Sequence, residues 1–240
     1  MKFYQSKLLN SFSNLTHCFT NKQNGNLAFH VNDDPDRVLK NHQNLAQELD
    51  YKMETLVHMK QIHSNSVHIV TSNDTFYKPP TCDALITDKQ EIPLMVMVAD
   101  CSPILFYDPK QQVIAVTHAG RVGTFKNIVK NVIESFVDDF GSNPSNILAC
   151  VGPTICQKCY EVGKEILQEA EEKNLNYAIK QKDDKYFLDI RCILKKHLRE
   201  NGLNENHIEL SPHCSKYDAK FYSYREDRAC GRFAGLISLH

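Results

Sequence analysis

The sequence predicts an α+β fold in which mixed β-sheets pack against helices in a layered sandwich. Three observations predict it. Short β-prone segments crowd the centre of the 240-residue chain, stretches with helical periodicity lie on both sides of them, and the order mixes hairpin with helical connections. No repeat, charge run or linker divides the sequence. We therefore expect one domain over residues 1–240.

Apolar spacing and capping residues predict four helices. The first begins at Asp34-Pro35-Asp36 and runs through Leu49, and the second runs from about Thr124 to Phe140, where Gly141 stops it. Two more are expected over residues 162–173 and 189–200.

Residues 1–35 look irregular, and the strands are expected after them. The first strand covers residues 66–72. The β-prone segments that follow are "DALIT", "LMVMVA", "ILFYD", "VIAVTH", "NILACVG", "HIELS" and "KFYSY".

The segment "ILFYDPKQQVIAVTH" has the form of a hairpin with a four-residue turn. If Asp108 pairs with Val113, His118 lies opposite Pro103, and Cys101 lies about opposite the residue that follows Ala119. Diagonal neighbours in such a ladder are roughly 7–8 Å apart. The thiol and the imidazole would therefore share the open end of one hairpin, as two metal ligands or as a nucleophile and its base.

A plainer interpretation is that Cys101 is a small buried hydrophobe and that His118 only bonds a nearby carbonyl. Asp100 weakens it, because an unpaired buried carboxylate is costly. Gly120 and Gly123 weaken it too, because they let backbone approach a ligand closely. Asp100 either faces away from the site or orients a ligating histidine.

Composition limits the classes of partner. The net charge is −1, with 42% hydrophobic and 24% charged residues, so we expect neither nucleic-acid nor membrane binding. The chain has nine cysteines, and its first residues, "MKFYQSKLLNSF", lack the apolar core of a signal peptide. We therefore expect a cytoplasmic monomer with free thiols that acts on a small molecule.

Six motifs in order resemble the YfiH family, also called the multicopper polyphenol oxidoreductase or laccase-domain family. They are "KQIHSNSV", "CDALIT", "VADCSPILFYD", "THAGRVGT", "GPTICQKCYEVG" and "YSYREDRACGR". The resemblance implies a YfiH-like fold and a purine nucleoside phosphorylase with adenosine deaminase activity.

The resemblance also implies site residues. His63, Cys101 and His118 match the family's zinc ligands, which are also its catalytic residues, and Gln61 of the Gln-x-His segment is a candidate substrate contact. Three protein ligands with one open position are typical of catalytic zinc.

Three arginines, Arg225, Arg232 and Arg121, are candidates to bind phosphate, because a guanidinium matches phosphate oxygens. For Arg225, a surface ion pair within "REDR" is the alternative. Arg121-Val122 replaces the family's Trp-Arg, and Asn41-His42 replaces its Asn-Arg.

Other functions use the same residues. Cys101 could be the nucleophile of a hydrolase, with His118 or His63 as its base. The family resemblance also implies a possible role in editing a peptidoglycan precursor through the same cysteine. A His2Cys set also suits copper, but the chain has no His-x-His pair of the kind that multicopper oxidases use. A laccase activity is therefore less favoured. A metal-responsive or small-ligand binding module remains open as well.

Two further groups could carry chemistry. Cys156 and Cys159 have the Cys-x-x-Cys spacing of a redox motif or of half a zinc site, but no second pair completes a four-cysteine site. Much further along the chain, "HIELSPHCSKYD" could bind metal through His207, His213 and Cys214, whereas the resemblance implies a packed polar loop there.

Overall fold

The computed structural model describes residues 3–240 and has the layered α+β architecture that the sequence predicts. The helices are α1 (Pro35–Glu48), α2 (Arg121–Phe125), α3 (Ile128–Phe140), α4 (Lys164–Glu172) and α5 (Ile190–Glu200). The strands are β1 (Leu15–Phe19), β2 (Val67–Ile69), β3 (Ala84–Thr87), β4 (Leu94–Val98), β5 (Ser102–Asp108), β6 (Val113–Ala119), β7 (Leu148–Val151), β8 (Glu161–Val162), β9 (Ile179–Lys182), β10 (Lys185–Leu188), β11 (Ile208–Leu210) and β12 (Phe233–Leu239). Within residues 3–240, no helix combines the length and apolarity needed to cross a bilayer.

The strands form three sheets. The largest is a mixed six-stranded sheet in the order β11-β7-β5-β6-β3-β2. A three-stranded antiparallel sheet, β1-β12-β4, packs on one of its faces, and a smaller sheet, β8-β10-β9, lies apart. The strands β4, β5 and β6 are buried along their whole length, so they read as continuous apolar runs and not as alternating ones.

Three apolar clusters separate four layers. Phe19 and Phe233 of the β1-β12-β4 sheet pack against Leu105 of the six-stranded sheet. The other face of the six-stranded sheet, with Phe106, packs on α3 and α5, and the outer face of the three-stranded sheet packs on α1 through Leu45. The order of layers is therefore helix, sheet, sheet, helix.

Two expectations about elements are wrong. The helix expected over residues 124–140 is two helices, because Asn127 adopts the left-handed conformation (φ 53°) and caps α3 by accepting from the Lys130 N–H. "KFYSY" is not a strand, because the N–H groups of Lys220 and Phe221 bond to Asp218 in a turn instead of to a neighbouring strand.

The segments expected to be irregular or left unassigned include two strands of the core. β1 lies within the first 35 residues, and β12 follows Arg232. The two pair with each other in antiparallel register, from Leu15 with Leu239 to Phe19 with Gly235.

Candidate active site

The β5–β6 hairpin has the predicted register. Asp108 pairs with Val113, and Pro103 pairs with His118. The buried carboxylate of Asp108 accepts the Lys110 N–H at 2.8 Å and so supports the turn. Register and turn length together bring the start of β5 and the end of β6 to the same edge of the sheet.

Three distant side chains meet at that edge. His63 comes from the loop before β2, Cys101 from the turn before β5 and His118 from β6. One donor atom of each lies within 4.8 Å of the other two. The imidazoles of His63 and His118 are edge to face, with ring centroids 4.7 Å apart. The structure thus brings together the three residues that the sequence analysis singled out.

Gly120 is needed for this approach. A Cβ atom there would lie 3.0 Å from Cδ2 of His63 and 3.1 Å from Sγ of Cys101. Both distances are tighter than ordinary side-chain contacts, so any other residue would push the two ligand candidates apart.

Asp83, immediately before β3, holds two of the three residues. Its Oδ1 accepts a hydrogen bond from Nδ1 of His118 at 2.8 Å and another from the N–H of His63 at 3.0 Å. Its Oδ2 accepts from the N–H and the hydroxyl of Ser64 at 2.6 and 2.7 Å. These bonds stabilise the left-handed backbone of His63 (φ 58°). Burial raises the pKa of Asp83, but the bonds from His118 and Ser64 outweigh it and lower the pKa to about 2.

Cys101 and His118 form a charged pair. Burial raises the pKa of the Cys101 thiol, yet the charge and hydrogen bond of His118 outweigh burial and lower it to about 6. Burial lowers the pKa of His118, but the Cys101 thiolate and Asp83 raise it to about 9. The thiol is therefore ionised at neutral pH, which suits both a metal ligand and a nucleophile.

The donor set fits a metal ion. Because Nδ1 of His118 bonds to Asp83, its Nε2 is left to face Cys101 and His63. Two imidazoles and a thiolate are ligands that zinc accepts, and copper shares this preference. A bound ion would take the place of the proton on His118.

A cavity of about 130 Å³ opens beside Cys101. Among the residues that line it are Gly120, Arg121, Tyr160 and Arg225. The cavity is small and mostly apolar, and it presents cationic and aromatic groups next to Cys101.

Asp100 does not orient a ligating histidine; Asp83 does. The carboxylate of Asp100 accepts from the Ser215 hydroxyl and from the Arg225 N–H, both at 2.6 Å. Its backbone lies at φ 84°, where non-glycine residues are rare. Its carbonyl accepts the Ile155 N–H at 3.0 Å. Asp100 therefore ties three loops to the turn that presents Cys101.

Two of the predicted phosphate ligands line the cavity. Arg225 is exposed, stacks over the Tyr160 ring at 5.1 Å, and donates through Nη1 to the carbonyl of Glu161 at 2.7 Å. Arg121 forms an ion pair with Glu169.

The third arginine, Arg232, and the candidate substrate contact Gln61 both hydrogen-bond to main-chain groups. Arg232 donates to the carbonyl of Cys230 at 2.7 Å. Gln61 donates to the carbonyl of Met97 at 2.8 Å and accepts its N–H at 3.0 Å, so its amide joins the His63 loop to β4. The structure thus gives Gln61 a clear role in positioning the loop.

Sequence reasoning missed the roles of Asp83 and Tyr160. Asp83 stands in the quoted motif "CDALIT" but has no partner nearby in the sequence, and Tyr160 lies in "CYEVG". The sequence shows both residues within these motifs but not the contacts that they make. Neither spacing nor periodicity predicts contacts between loops so far apart in the chain.

A comparison with protein families shows which family the chain belongs to. A family described as multi-copper polyphenol oxidoreductase laccase matches residues 16–240. The chain belongs to this laccase-domain family. The match spans both main sheets and all three residues of the candidate site, so the family resemblance found in the motifs is confirmed.

Curated relatives that are similar in sequence to this laccase-domain protein are named as enzymes. A purine nucleoside phosphorylase of Corynebacterium glutamicum is 34% identical over 215 residues, covering 89% of this chain and 86% of the relative. The purine nucleoside phosphorylase YlmD of Bacillus subtilis is 31% identical over 228 residues, covering 89% and 81%.

Solved structures share the fold of this laccase-domain protein. YlmD from Geobacillus stearothermophilus has a TM-score of 0.91 at 26% identity, covering 100% of this chain and 99% of that one. The Bacillus licheniformis protein YfiH has a TM-score of 0.89 at 29% identity, covering 94% and 93%.

Proposed function

We propose that the chain is a zinc-dependent purine nucleoside phosphorylase that also deaminates adenosine. The convergence of His63, Cys101 and His118 beside a cavity that Arg225 lines carries this proposal. The substrates would be adenosine, inosine and guanosine, with methylthioadenosine as a further candidate, and phosphate. The names of the relatives support this reaction class.

His63, Cys101 and His118 would hold the zinc ion, and copper is the alternative ion. Zinc bound there would supply a Lewis acid at neutral pH. Asp83 keeps His118 in the tautomer that presents Nε2, and it holds the His63 loop in place before any ion binds.

Phosphate and purine would be handled by the cavity residues. The N–H groups of Arg225 that do not bond to Glu161 would hold phosphate against the anomeric carbon, with Arg121 and Arg232 as further cationic groups. A phosphate oxygen would bond to that carbon while the carbon–purine nitrogen bond breaks, and the purine leaves with the electron pair. Burial raises the pKa of Tyr160 to about 12, so its hydroxyl keeps its proton and would donate a hydrogen bond to the leaving base.

The test is a panel of nucleosides incubated with phosphate and read by product chromatography. Wild-type protein with measured zinc should release free base and sugar 1-phosphate, and should convert adenosine to inosine. Cys101→Ala should lose these activities. Cys192→Ala is the matched control, because Cys192 is an exposed cysteine of α5 that does not line the cavity. Equal turnover by Cys101→Ala and wild type would contradict the assignment.

A second candidate is a metal-free cysteine hydrolase. It is favoured by the Cys101–His118 pair with Asp83 behind the imidazole, since this order of groups is typical of an activated nucleophile. Metal analysis separates the candidates. Hydrolysis by protein that contains well below one equivalent of zinc would favour the hydrolase, and loss of all activity on chelation would favour the phosphorylase.

We further propose that the enzyme is a cytoplasmic monomer. All nine cysteines are free thiols, which suits a reducing compartment.

A further inference from the structure

A second group of thiols lies on two segments that hydrogen-bond to Asp100. Cys156 and Cys159 flank the short turn after β7, and Cys214 follows β11. Their sulfur atoms all lie within 4.8 Å of one another, and all three are free thiols. The Cys-x-x-Cys pair therefore does gain a third thiol, from a segment 55 residues or more further along the chain.

The main chain around Cys214 favours a thiolate. Its Sγ accepts the N–H of Cys156 at 3.3 Å. Such an N–H group aimed at sulfur stabilises a negative charge on it.

The three thiols cannot all ionise without a counter-charge. Their sulfur atoms lie within 4.8 Å of one another, so negative charges on all three would repel one another. A cation between the sulfurs would remove their repulsion, and a coordinating thiol loses its proton outright.

The surroundings of the three sulfur atoms would let an ion reach them from solvent and would keep it between them. Ile155 packs against Cys159 and Cys214, which are largely buried, and forms an apolar floor. Cys156 is only partly buried and gives access from solvent.

We propose that Cys156, Cys159 and Cys214 bind a zinc ion at a site separate from His63, Cys101 and His118. Thiolates select zinc and Cu(I) over harder cations, and two ligands at Cys-x-x-Cys spacing are common in zinc sites. Zinc is usually four-coordinate, so the fourth position is left for water.

The ion would brace the turn that presents Cys101. Thr154 and Cys214 already form a parallel bridge, and the Ser215 N–H bonds to the Thr154 carbonyl at 3.1 Å. These same two segments hold Asp100 through Ile155 and Ser215. Zinc would therefore join the segments that fix Asp100, next to Cys101.

The experiment counts metal sites separately. Full-length protein is stripped with a chelator, reloaded with Zn²⁺ and washed, and its zinc is quantified; wild type should hold about two equivalents. His63→Ala should lower this to about one, and Cys156→Ser should also lower it to about one. The control Cys192→Ser should keep both. In Co²⁺-loaded protein, Cys156→Ser should lose most of the thiolate-to-cobalt absorption, because the remaining first site has one thiolate.

A measurement on the wild type keeps the proposal testable if a variant fails to fold. Zinc should slow alkylation of Cys156 by iodoacetamide at least tenfold, read by peptide mass spectrometry, and leave the rate at Cys192 unchanged. Equal zinc in Cys156→Ser and wild type, or no protection of Cys156, would overturn the proposal. Nucleoside turnover plays no part in either measurement, so the two proposals fail separately.

Discussion

Asp83 accepts a hydrogen bond from Nδ1 of His118 at 2.8 Å, with both side chains buried, and so determines which ring nitrogen faces Cys101. The same carboxylate accepts the main-chain N–H of His63 at 3.0 Å. One residue immediately before β3 therefore positions two of the three candidate ligands.

Asp83→Asn should weaken zinc binding at the first site about 10–100-fold, because an amide carries no charge to increase the basicity of His118 and its NH2 group cannot accept from Ser64. Competition with a colorimetric chelator measures the affinity. Asp108→Asn is the control, since Asp108 is a buried carboxylate that accepts main-chain N–H groups at the far end of the same hairpin. Equal losses in the two variants would mean that the effect is one of general stability.

Gly120→Ala should lower both zinc affinity and turnover, because the new Cβ would press on His63 and Cys101. Overpacking of this kind costs about 1–3 kcal/mol. Gly141→Ala provides the comparison. A Cβ atom at Gly141 would lie in open space, but the backbone there is left-handed, with φ 66°. This variant should therefore lose about 1 kcal/mol of stability and keep its activity. Thermal unfolding and zinc titration are measured for both variants.

Arg225→Ala should raise the KM for phosphate about 10–100-fold with a smaller change in the KM for nucleoside, because a charged hydrogen bond contributes about 1.5–3 kcal/mol. Arg228→Ala removes the same charge three residues on, from an exposed position outside the cavity. An unchanged KM in Arg225→Ala would remove this residue from the phosphate site.

Glu169→Gln should lower the KM for phosphate by up to about fivefold, since it frees Arg121 from a partly exposed ion pair worth less than about 1 kcal/mol. Glu165→Gln, on the same helix and exposed, is the control. If phosphate KM rises in Glu169→Gln, the ion pair positions Arg121 and does not compete with phosphate.

Stability should fall in mild acid because of His42. Burial lowers its pKa to about 4, and its Nε2 lies 2.8 Å from the carbonyl of Leu27. The unfolded chain takes up this proton near pH 6.5 whereas the folded chain resists until about pH 4, so the free energy of unfolding falls over this range, by roughly 3 kcal/mol at pH 4.

Urea unfolding between pH 7 and pH 4 measures this loss. His42→Gln can keep the bond to Leu27 and should flatten the pH dependence, and His240→Gln, at an exposed position, should leave it unchanged. An equally steep dependence in His42→Gln would assign the loss to other groups.

The hairpin shows what local sequence can predict. Turn length and strand pattern were enough to place Cys101 and His118 at one edge, because register propagates along a ladder. His63 was found only through family resemblance, since its loop reaches the site by bonding to Asp83, a contact that no periodicity records. The roles of these residues in binding metal stay a prediction.

The errors in the fold also have physical causes. The apolar pattern of residues 124–140 is helical throughout, but Asn127 interrupts it with a left-handed backbone that its own side chain stabilises as a cap. β1 and β12 carry few local signals, and each becomes a strand by pairing with the other across more than 200 residues. Third ligands such as Cys214 depend on the same kind of long-range placement.

The last strand in chain order, β12, lies in the middle of its sheet, between β1 and β4. During synthesis, β1 and β4 are therefore made before β12, the strand that pairs with both. Until β12 is made, their unpaired edges can pair with strands of other chains. Nascent chains should consequently depend on chaperones until translation passes residue 239, and a premature stop shortly before it would yield an aggregating product instead of a weakened enzyme.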